Sequence, residues 1–302
     1  MGYIDGERRF VNVEASAPLK GKKLAELVAA VPTLDCVQIE QSERARLPPG
    51  LIATLAEHVF GKRPEIQLRI YMGDELDLSF LADLPMLQNL QLEVSTRIDN
   101  VAALASCKGL KALTLTLPKS TDPNLLAHVA TTVEELNVGP DSSAFGPLDL
   151  LPLARLQRLR RLRLHGYEQQ LATVLASLPR LQVLSLRAMS RLDTVESLGS
   201  LSALHSVTMQ RCGFANLDVL THLPKLRYLQ LWWMQKLASI DFVSRLVALE
   251  GLFFETLGNV KAFPNLTALR KLQVVKLATM AALRDFSAVS YTHLTLPTSD
   301  LV

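Results

Sequence analysis

The side chains in this sequence with the clearest capacity for chemistry are arginines and aromatic residues that alternate with leucines. Arg161 and Arg163 occupy every second position of one segment, and Tyr228 and Trp232 lie in the same way in another. Arginine, tryptophan and tyrosine dominate the energetics of protein interfaces, at about 2 kcal/mol or more each at a hot spot. The chemistry that these residues predict is non-covalent recognition.

No segment carries a catalytic signature. Gly21-Lys22-Lys23 and Gly61-Lys62-Arg63 lack the spacing of a phosphate-binding loop, and the sequence contains no H-E-x-x-H, G-x-S-x-G or C-x-x-C motif. The 6 histidines are scattered along the chain. We therefore expect no enzymatic activity, no cofactor and no metal ion.

The elements that must position the arginines and aromatic residues are copies of one repeat, L-x-x-L-x-L. Alternation places its leucines on one face of a short strand and the intervening residues on the other. One strand cannot bury its leucines alone, so neighbouring copies must stack. The copies recur in steps of 20 to 26 residues and begin at Leu87, Leu110, Val133, Leu159, Leu181, Leu204, Leu226, Leu249 and Leu269, with weaker copies at Leu34/Val37/Ile39 and Leu68/Ile70.

This pattern resembles the leucine-rich repeat family, with short bacterial or phosphatase-regulator-like repeats of about 22 to 23 residues, over residues 30–287. The resemblance implies an α/β fold: a leucine-rich repeat solenoid with a parallel concave sheet and short α- or 3₁₀-helical convex segments. The chain lacks the usual Asn of the turn after the strand, so we expect apolar packing to hold that turn. The positions in question carry Ser95, Pro118, Tyr167, Met189, Cys212, Met234 and Leu257.

The predicted organisation is a single solenoid over residues 1–288, with a cap region at 1–30, repeats at 31–288 and a non-native tail at 289–302. Within the tail, Val289–Thr298 resembles a translated sequencing adapter. An edge strand is expected at 9–14, and amphipathic helices at 23–31 and 50–60. In the convex segments, Asp99, Asp193 and Asp241 are expected to cap short helices.

Charge, cysteine content and hydropathy limit the partners and the cellular location that the sequence allows. A net charge of +3 is only mildly basic and gives no clear nucleic-acid footprint, which would need Lys and Arg clustered on one face, so nucleic acid is not the expected partner. Cys36, Cys107 and Cys212 are too few for a disulfide framework, which indicates buried thiols in a reducing compartment. There is no secretory signal and no apolar run of membrane-spanning length, so the predicted location is cytoplasmic.

The concave face is the predicted binding surface, for a protein or peptide that carries acidic and apolar groups. Its predicted contact residues are Arg161, Arg163, His165, Arg187, Gln210, Tyr228, Gln230, Trp232, Phe253 and Glu255. Trp233 is expected to point toward the turn and the core.

The sequence leaves three alternatives open. These residues could be incidental surface, with Arg187 stacked over Trp232. The chain could be the recognition array of a truncated larger enzyme or secreted effector, such as a ubiquitin ligase-like protein. A weaker alternative is nucleic-acid binding through a group of arginines, which comprises Arg155, Arg158, Arg160, Arg161, Arg163 and Arg187.

Overall fold

A computed structural model describes residues 9–14, 19–41, 47–141, 146–192, 196–285 and 287. The chain forms two compact units, Met1–Leu186 (the first unit) and Arg187–Val302 (the second unit). The single solenoid over 1–288 stays a prediction. So does the non-native tail at 289–302, which lies outside the described residues.

Short parallel strands form the sheet of the first unit. Its main strands follow one another in the order β1-β2-β3-β5-β7-β8-β9-β10, and β4 and β6 form a separate parallel pair. The last residue of β10 already belongs to the second unit. The strands are β1 (Phe10–Glu14), β2 (Cys36–Gln41), β3 (Gln67–Met72), β4 (Glu75–Asp77), β5 (Asn89–Val94), β6 (Arg97–Asp99), β7 (Ala112–Leu117), β8 (Glu135–Pro140), β9 (Arg161–His165) and β10 (Val183–Arg187).

The second unit continues with the same kind of strand, in the order β11-β12-β13-β14. All the neighbours pair in parallel, so that Leu229 lies beside Leu252 and Leu231 beside Phe254. These strands are β11 (Ser206–Gln210), β12 (Tyr228–Trp232), β13 (Gly251–Glu255) and β14 (Val274–Ala278).

Short helices connect the strands. The predicted helix at 23–31 is confirmed as α1, and the one at 50–60 as α2 followed by a π-helical turn, Ala56–Phe60. The α-helices are α1 (Gly21–Ala30), α2 (Pro49–Leu55) and α3 (Leu171–Ala176). The 3₁₀ helices are Val31–Thr33, Leu78–Asp83, Val101–Ser106, Leu125–His128, Leu151–Arg155, Glu196–Ser200, Asp218–His222 and Asp241–Arg245. Within the described ranges, no helix is long and apolar enough to cross a bilayer.

The core is the stack of strand leucines that the repeat predicts. In β9, for example, Leu162 and Leu164 are buried while Arg161 and Arg163 are exposed. The fold is therefore α/β, a leucine-rich repeat solenoid of parallel strands and short helical connections. Stacking supplies the apolar burial that no single repeat of this length could achieve.

One predicted copy of the repeat is wrong. The sequence pattern placed the last copy at Leu269/Leu272/Val274, but β13 pairs Leu252 with Val275 and Phe254 with Leu277. The copy is therefore Leu272/Val275/Leu277. Two overlapping apolar patterns occur in this stretch, and only the later one brings apolar residues beside those of β13.

Apolar packing holds most of the turns after the strands, as expected, but Ser95 is exposed. Met189, Cys212, Met234 and Leu257 are all buried, in the positions where an Asn would form hydrogen bonds. These side chains add to the apolar core that the strand leucines form.

The predicted capping aspartates are wrong at Asp99 and Asp241, and the third, Asp193, lies outside the described residues. Asp99 ends β6, and the cap residue of the next helix is Asn100 in a left-handed conformation (φ 53°). Asp241 is the first residue of its own helix, and its backbone N–H donates to Ser239 Oγ at 3.1 Å. A cap of this kind does occur at Asp77, which was not predicted; its Oδ1 accepts a hydrogen bond from Ser79 N at 2.8 Å.

Candidate functional site

The most distinctive arrangement on the exposed sheet face of the second unit is a pair of aromatic rings above a glycine. Tyr228 and Gly251 are register partners on β12 and β13, and Phe253 lies two residues after Gly251 on the same face. A methyl group added at Gly251 would meet Tyr228 Cδ1 at 2.9 Å and Phe253 Cε2 at 3.1 Å. The glycine therefore leaves the space into which both rings settle. We call Tyr228, Gly251 and Phe253 the aromatic cradle.

An ion pair at the start of the strands fixes the tyrosine. Arg227 donates two hydrogen bonds of 2.7 Å to Glu250, one to each carboxylate oxygen. Tyr228 Oη donates to Glu250 Oε2 at 3.2 Å, and the Arg227 guanidinium lies 5.8 Å from the tyrosine ring centre. The arginine, and secondarily the tyrosine, hold the pKa of Glu250 below its usual range. The carboxylate thus stays charged, and Tyr228 is oriented while its side chain remains 42% exposed.

Other predicted contact residues surround the cradle on the same face. Gln230 is the register partner of Phe253, and Trp232 lies between Gln210 and Glu255. Gln230 is exposed, and Trp232 and Glu255 are half-buried. Strand pairing therefore brings the predicted residues of β11, β12 and β13 together on one patch. The sequence analysis missed Lys276, an exposed cation beside Phe253, because its repeat was placed in the wrong register.

Arg187 ends β10 and begins the second unit. The next residue, Ala188, donates its backbone N–H to Gln210 O at 2.8 Å, which places the two strand ends side by side. Within the described part of the chain, the Arg187 side chain is exposed and forms no ion pair. The stacking of Arg187 over Trp232 is not seen among the described cation–π contacts, which are Arg211 with Trp233 and Arg227 with Tyr228.

The prediction for Trp233 is wrong. Its φ of 55° is left-handed, and its side chain is 43% exposed instead of packed in the core. The guanidinium of Arg211 lies 5.5 Å from its ring centre. Strand alternation continued past Trp232 would bury residue 233, but the strand ends there and the left-handed residue turns the side chain outward.

In the first unit, the predicted contact residues Arg161, Arg163 and His165 form a basic group that is partly neutralised. Arg161 donates to Glu135 Oε1 at 3.0 Å across the β8–β9 pair. His165 is half-buried beside Gly139, where an added methyl group would meet its Cβ at 3.1 Å. Arg163 is exposed, and in the described ranges it forms no ion pair. Arg163 is thus the cation of β9 that remains available to a partner.

A polar network that the sequence analysis did not single out covers the same face at β2, β3 and β5. Arg69 donates to Glu93 Oε1 at 2.7 Å and to Gln38 Oε1 at 3.0 Å. Gln91 also donates to Glu93 Oε1, at 2.6 Å, and Gln67 donates to Gln91. The bond to Glu93 raises the pKa of Arg69 above its usual range. Because these groups satisfy one another, this part of the face of the first unit offers few open hydrogen-bonding groups to a partner.

Three members of the arginine group considered for nucleic acid have partners within the protein, one of them Arg161, which pairs with Glu135. Arg155 Nη2 donates to the carbonyl oxygens of Leu126, Ala127 and Val129, at the end of the preceding 3₁₀ helix. Arg160 lies 3.8 Å from Glu134. Arg155 is therefore a structural side chain, which weakens the nucleic-acid alternative.

The structure offers no metal centre in the part that it describes: no three His, Cys, Asp or Glu side chains converge there. Cys36, Cys107 and Cys212 are buried, as predicted, and among the described residues none of them forms a disulfide. Burial raises the pKa of the Cys107 thiol to about 11, so at neutral pH this thiol is protonated and a poor nucleophile.

The comparisons with solved structures define the class of fold. An internalin (inlF) from Listeria monocytogenes superposes with a TM-score of 0.51 and 17% identity, over 85% of this chain and 88% of that one. The functional domain of InlJ from the same organism superposes with a TM-score of 0.50 and 15% identity, over 89% of this chain and 63% of that one. The shared feature is the leucine-rich repeat fold.

In sequence, no protein-family model matches the chain, and no curated protein matches it. The fold class therefore rests on the structure and on the repeat itself.

Proposed function

We propose that this chain is a non-enzymatic scaffold that binds a protein or peptide on its exposed sheet face. The observation that supports the proposal most is the aromatic cradle: two rings, one of them clamped by an ion pair, stand exposed or half-exposed above a glycine on a regular sheet. Exposed aromatic groups of this kind commonly mark interaction sites, because leaving them in water costs free energy that a partner recovers.

The partner carries an apolar side chain flanked by an acidic one. The apolar group fills the space beside Tyr228 and Phe253, and the carboxylate meets Lys276, one strand away from Phe253. The clamped tyrosine loses little side-chain entropy when the partner arrives, which favours affinity. In the first unit, Arg163 offers a separate cation to an acidic group.

Peptide selection followed by substitution tests this function. Peptides are selected from a random library on the wild-type chain, and their dissociation constants are then measured against variants. Phe253→Ala or Tyr228→Ala should weaken binding about thirtyfold, the equivalent of one hot-spot residue. Arg163→Ala and Trp232→Ala, measured singly, test the remaining predicted contacts.

The matched control is Val247→Ala, which removes an exposed apolar side chain (61% exposed) that lies outside the strands. It should leave the dissociation constant unchanged. Circular dichroism must show that every variant is folded. If folded Phe253→Ala and Tyr228→Ala variants bind the selected peptides as tightly as wild type, the aromatic cradle is not the binding site.

A further inference from the structure

A left-handed residue follows each strand end of the second unit. The φ angles are 56° at Ala188, 53° at Arg211, 55° at Trp233, 53° at Thr256 and 50° at Thr279. At the first four of these positions the backbone N–H donates to the carbonyl of the last residue in the next strand, at 2.8 to 3.0 Å. The repeat thus requires this conformation whichever side chain is present.

A tryptophan is energetically unfavourable at a position with left-handed backbone. Left-handed backbone crowds the Cβ of any residue other than glycine, and asparagine and aspartate tolerate it best. Alanine occupies one of the five positions and β-branched threonine two, so the fold accepts unfavourable residues there, but Arg211 and Trp233 are the large ones. The backbone hydrogen bond from Trp233 to Glu255 offsets the strain and would do so with any side chain, whereas the indole itself, 43% exposed, gains little from the core.

Arg211, whose guanidinium stacks on Trp233, has N–H groups that are available to a partner. The Arg211 guanidinium lies 5.5 Å from the Trp233 ring centre, and it forms no ion pair within the described part of the chain. Stacking occupies the flat face of a guanidinium and leaves the N–H groups in its plane free to bind a carboxylate through two parallel bonds. The exposed indole beside it offers an apolar surface.

We infer that Arg211 and Trp233 form a second recognition surface, the strand-end surface, which binds an acidic peptide segment. One carboxylate pairs with Arg211, and the neighbouring apolar side chain lies on Trp233. This surface is separate from the aromatic cradle, because Trp233 is turned out of the sheet face that carries Tyr228 and Phe253. It takes a peptide and not a nucleic acid because one free guanidinium matches a single carboxylate, whereas a phosphate backbone needs a row of cations.

The two tryptophans of the chain allow a local readout. In Trp232→Phe, Trp233 is the sole tryptophan, and its emission is followed during titration with a capped synthetic peptide that alternates leucine and glutamate. The expected result is a saturable change in emission that weakens as salt rises. The same peptide with glutamine in place of glutamate should bind at least about tenfold more weakly, as should the glutamate peptide to the Arg211→Gln variant.

Two further variants separate this surface from the fold and from the cradle. The Trp233→Asn variant should no longer bind the peptide. Its thermal midpoint of unfolding should stay the same or rise, because asparagine accepts the left-handed backbone. Its matched control, Thr256→Asn, changes the equivalent position of the next repeat and should keep the binding. Phe253→Ala should leave the Trp233 response intact even where it abolishes binding to the cradle.

Three results would overturn the inference: an emission change that Arg211→Gln does not weaken, no emission change at all, or tighter binding of oligothymidylate than of the acidic peptide. The last result would make the surface a nucleic-acid site. None of these results bears on the aromatic cradle, whose own test uses Phe253 and Tyr228.

Discussion

At the scale of single residues, side chains with similar sequence contexts have very different roles. Arg155 and Arg158 lie three positions apart and are both exposed, yet Arg155 donates to three backbone carbonyls, whereas Arg158 forms no side-chain hydrogen bond within the described residues. Trp232 and Trp233 are adjacent, yet one belongs to the sheet face and the other is turned away from it. Composition alone could not assign these roles, because each depends on where a strand or helix ends.

The first residue-scale prediction concerns Arg155. Arg155→Ala leaves the carbonyls of Leu126, Ala127 and Val129 without this cationic donor, so the free energy of unfolding should fall by about 2 kcal/mol, the range of hydrogen bonds to charged groups. Urea denaturation measures the change. Arg158→Ala is the matched control and should cost less than about 0.5 kcal/mol, as is usual for an exposed side chain. Equal losses in the two variants would refute the structural role of Arg155.

The second residue-scale prediction concerns alkaline pH. Burial raises the pKa of Cys107 from 9.0 to about 11 and that of Tyr167 from 10.0 to about 12. Between pH 9 and 11 the unfolded state loses the Cys107 proton while the folded state keeps it, so stability falls as pH rises. The slope from this thiol approaches about 1.4 kcal/mol per pH unit.

Urea midpoints at pH 8, 9 and 10 measure that slope. Cys107→Ala should be less stable at pH 8, because it leaves a small cavity, but its stability should fall less steeply above pH 9. A slope identical to that of the wild type would mean that the Cys107 thiol does not titrate differently in the folded and unfolded states.

At the scale of elements, the repeat pattern predicts which residues form the strands, but it does not predict where the strands end. Leucine alternation predicted which residues of β5, β7 and β9 are buried, because a period of two has one buried face. It could not fix the last strand, where Leu269/Leu272 and Leu272/Val275 fit the same pattern and only pairing with β13 decides. The pattern also did not predict the left-handed residues at the turns, since a tryptophan gives no sequence signal for that backbone conformation.

For the candidate site, the sequence predicted which residues share a face but not the contacts between them. Alternation placed Tyr228, Trp232 and Phe253 on one face, and the structure agrees. The Arg227–Glu250 clamp and the role of Gly251 were not foreseen: the repeat already places Tyr228 beside Gly251, but side-chain conformations decide which hydrogen bonds and ring contacts form. The Arg161–Glu135 pair, which removes one cation from the predicted basic group, was missed for the same reason.

The element-scale prediction concerns Gly251. Gly251→Ala places a methyl group 2.9 Å from Tyr228 Cδ1 and 3.1 Å from Phe253 Cε2, so both rings must shift away from the strand. Selected peptides should bind at least about tenfold more weakly, a loss of about 1.4 kcal/mol, although no aromatic group has been removed. Gly258→Ala is the control, since a methyl group there meets nothing within 4 Å. Unchanged affinity in Gly251→Ala would show that the ring positions above the glycine do not matter.

At the scale of the whole molecule, the chain combines a uniform core with a varied surface. The buried leucines make each repeat equivalent, and the exposed residues make each one different: a self-satisfied polar network at Arg69 and Glu93, a free cation at Arg163, and aromatic rings at Tyr228 and Phe253. In a repeat fold of this kind, recognition is carried by the residues between the leucines.

The central claim is that a partner peptide covers the aromatic cradle, and hydroxyl-radical footprinting tests it most directly. Oxidation rates are compared for the free chain and for its complex with a selected peptide. The account predicts that Tyr228 and Phe253 become protected while Leu151, an exposed apolar residue of the first unit, reacts at an unchanged rate. Protection elsewhere, with Tyr228 and Phe253 as reactive as in the free chain, would contradict the claim.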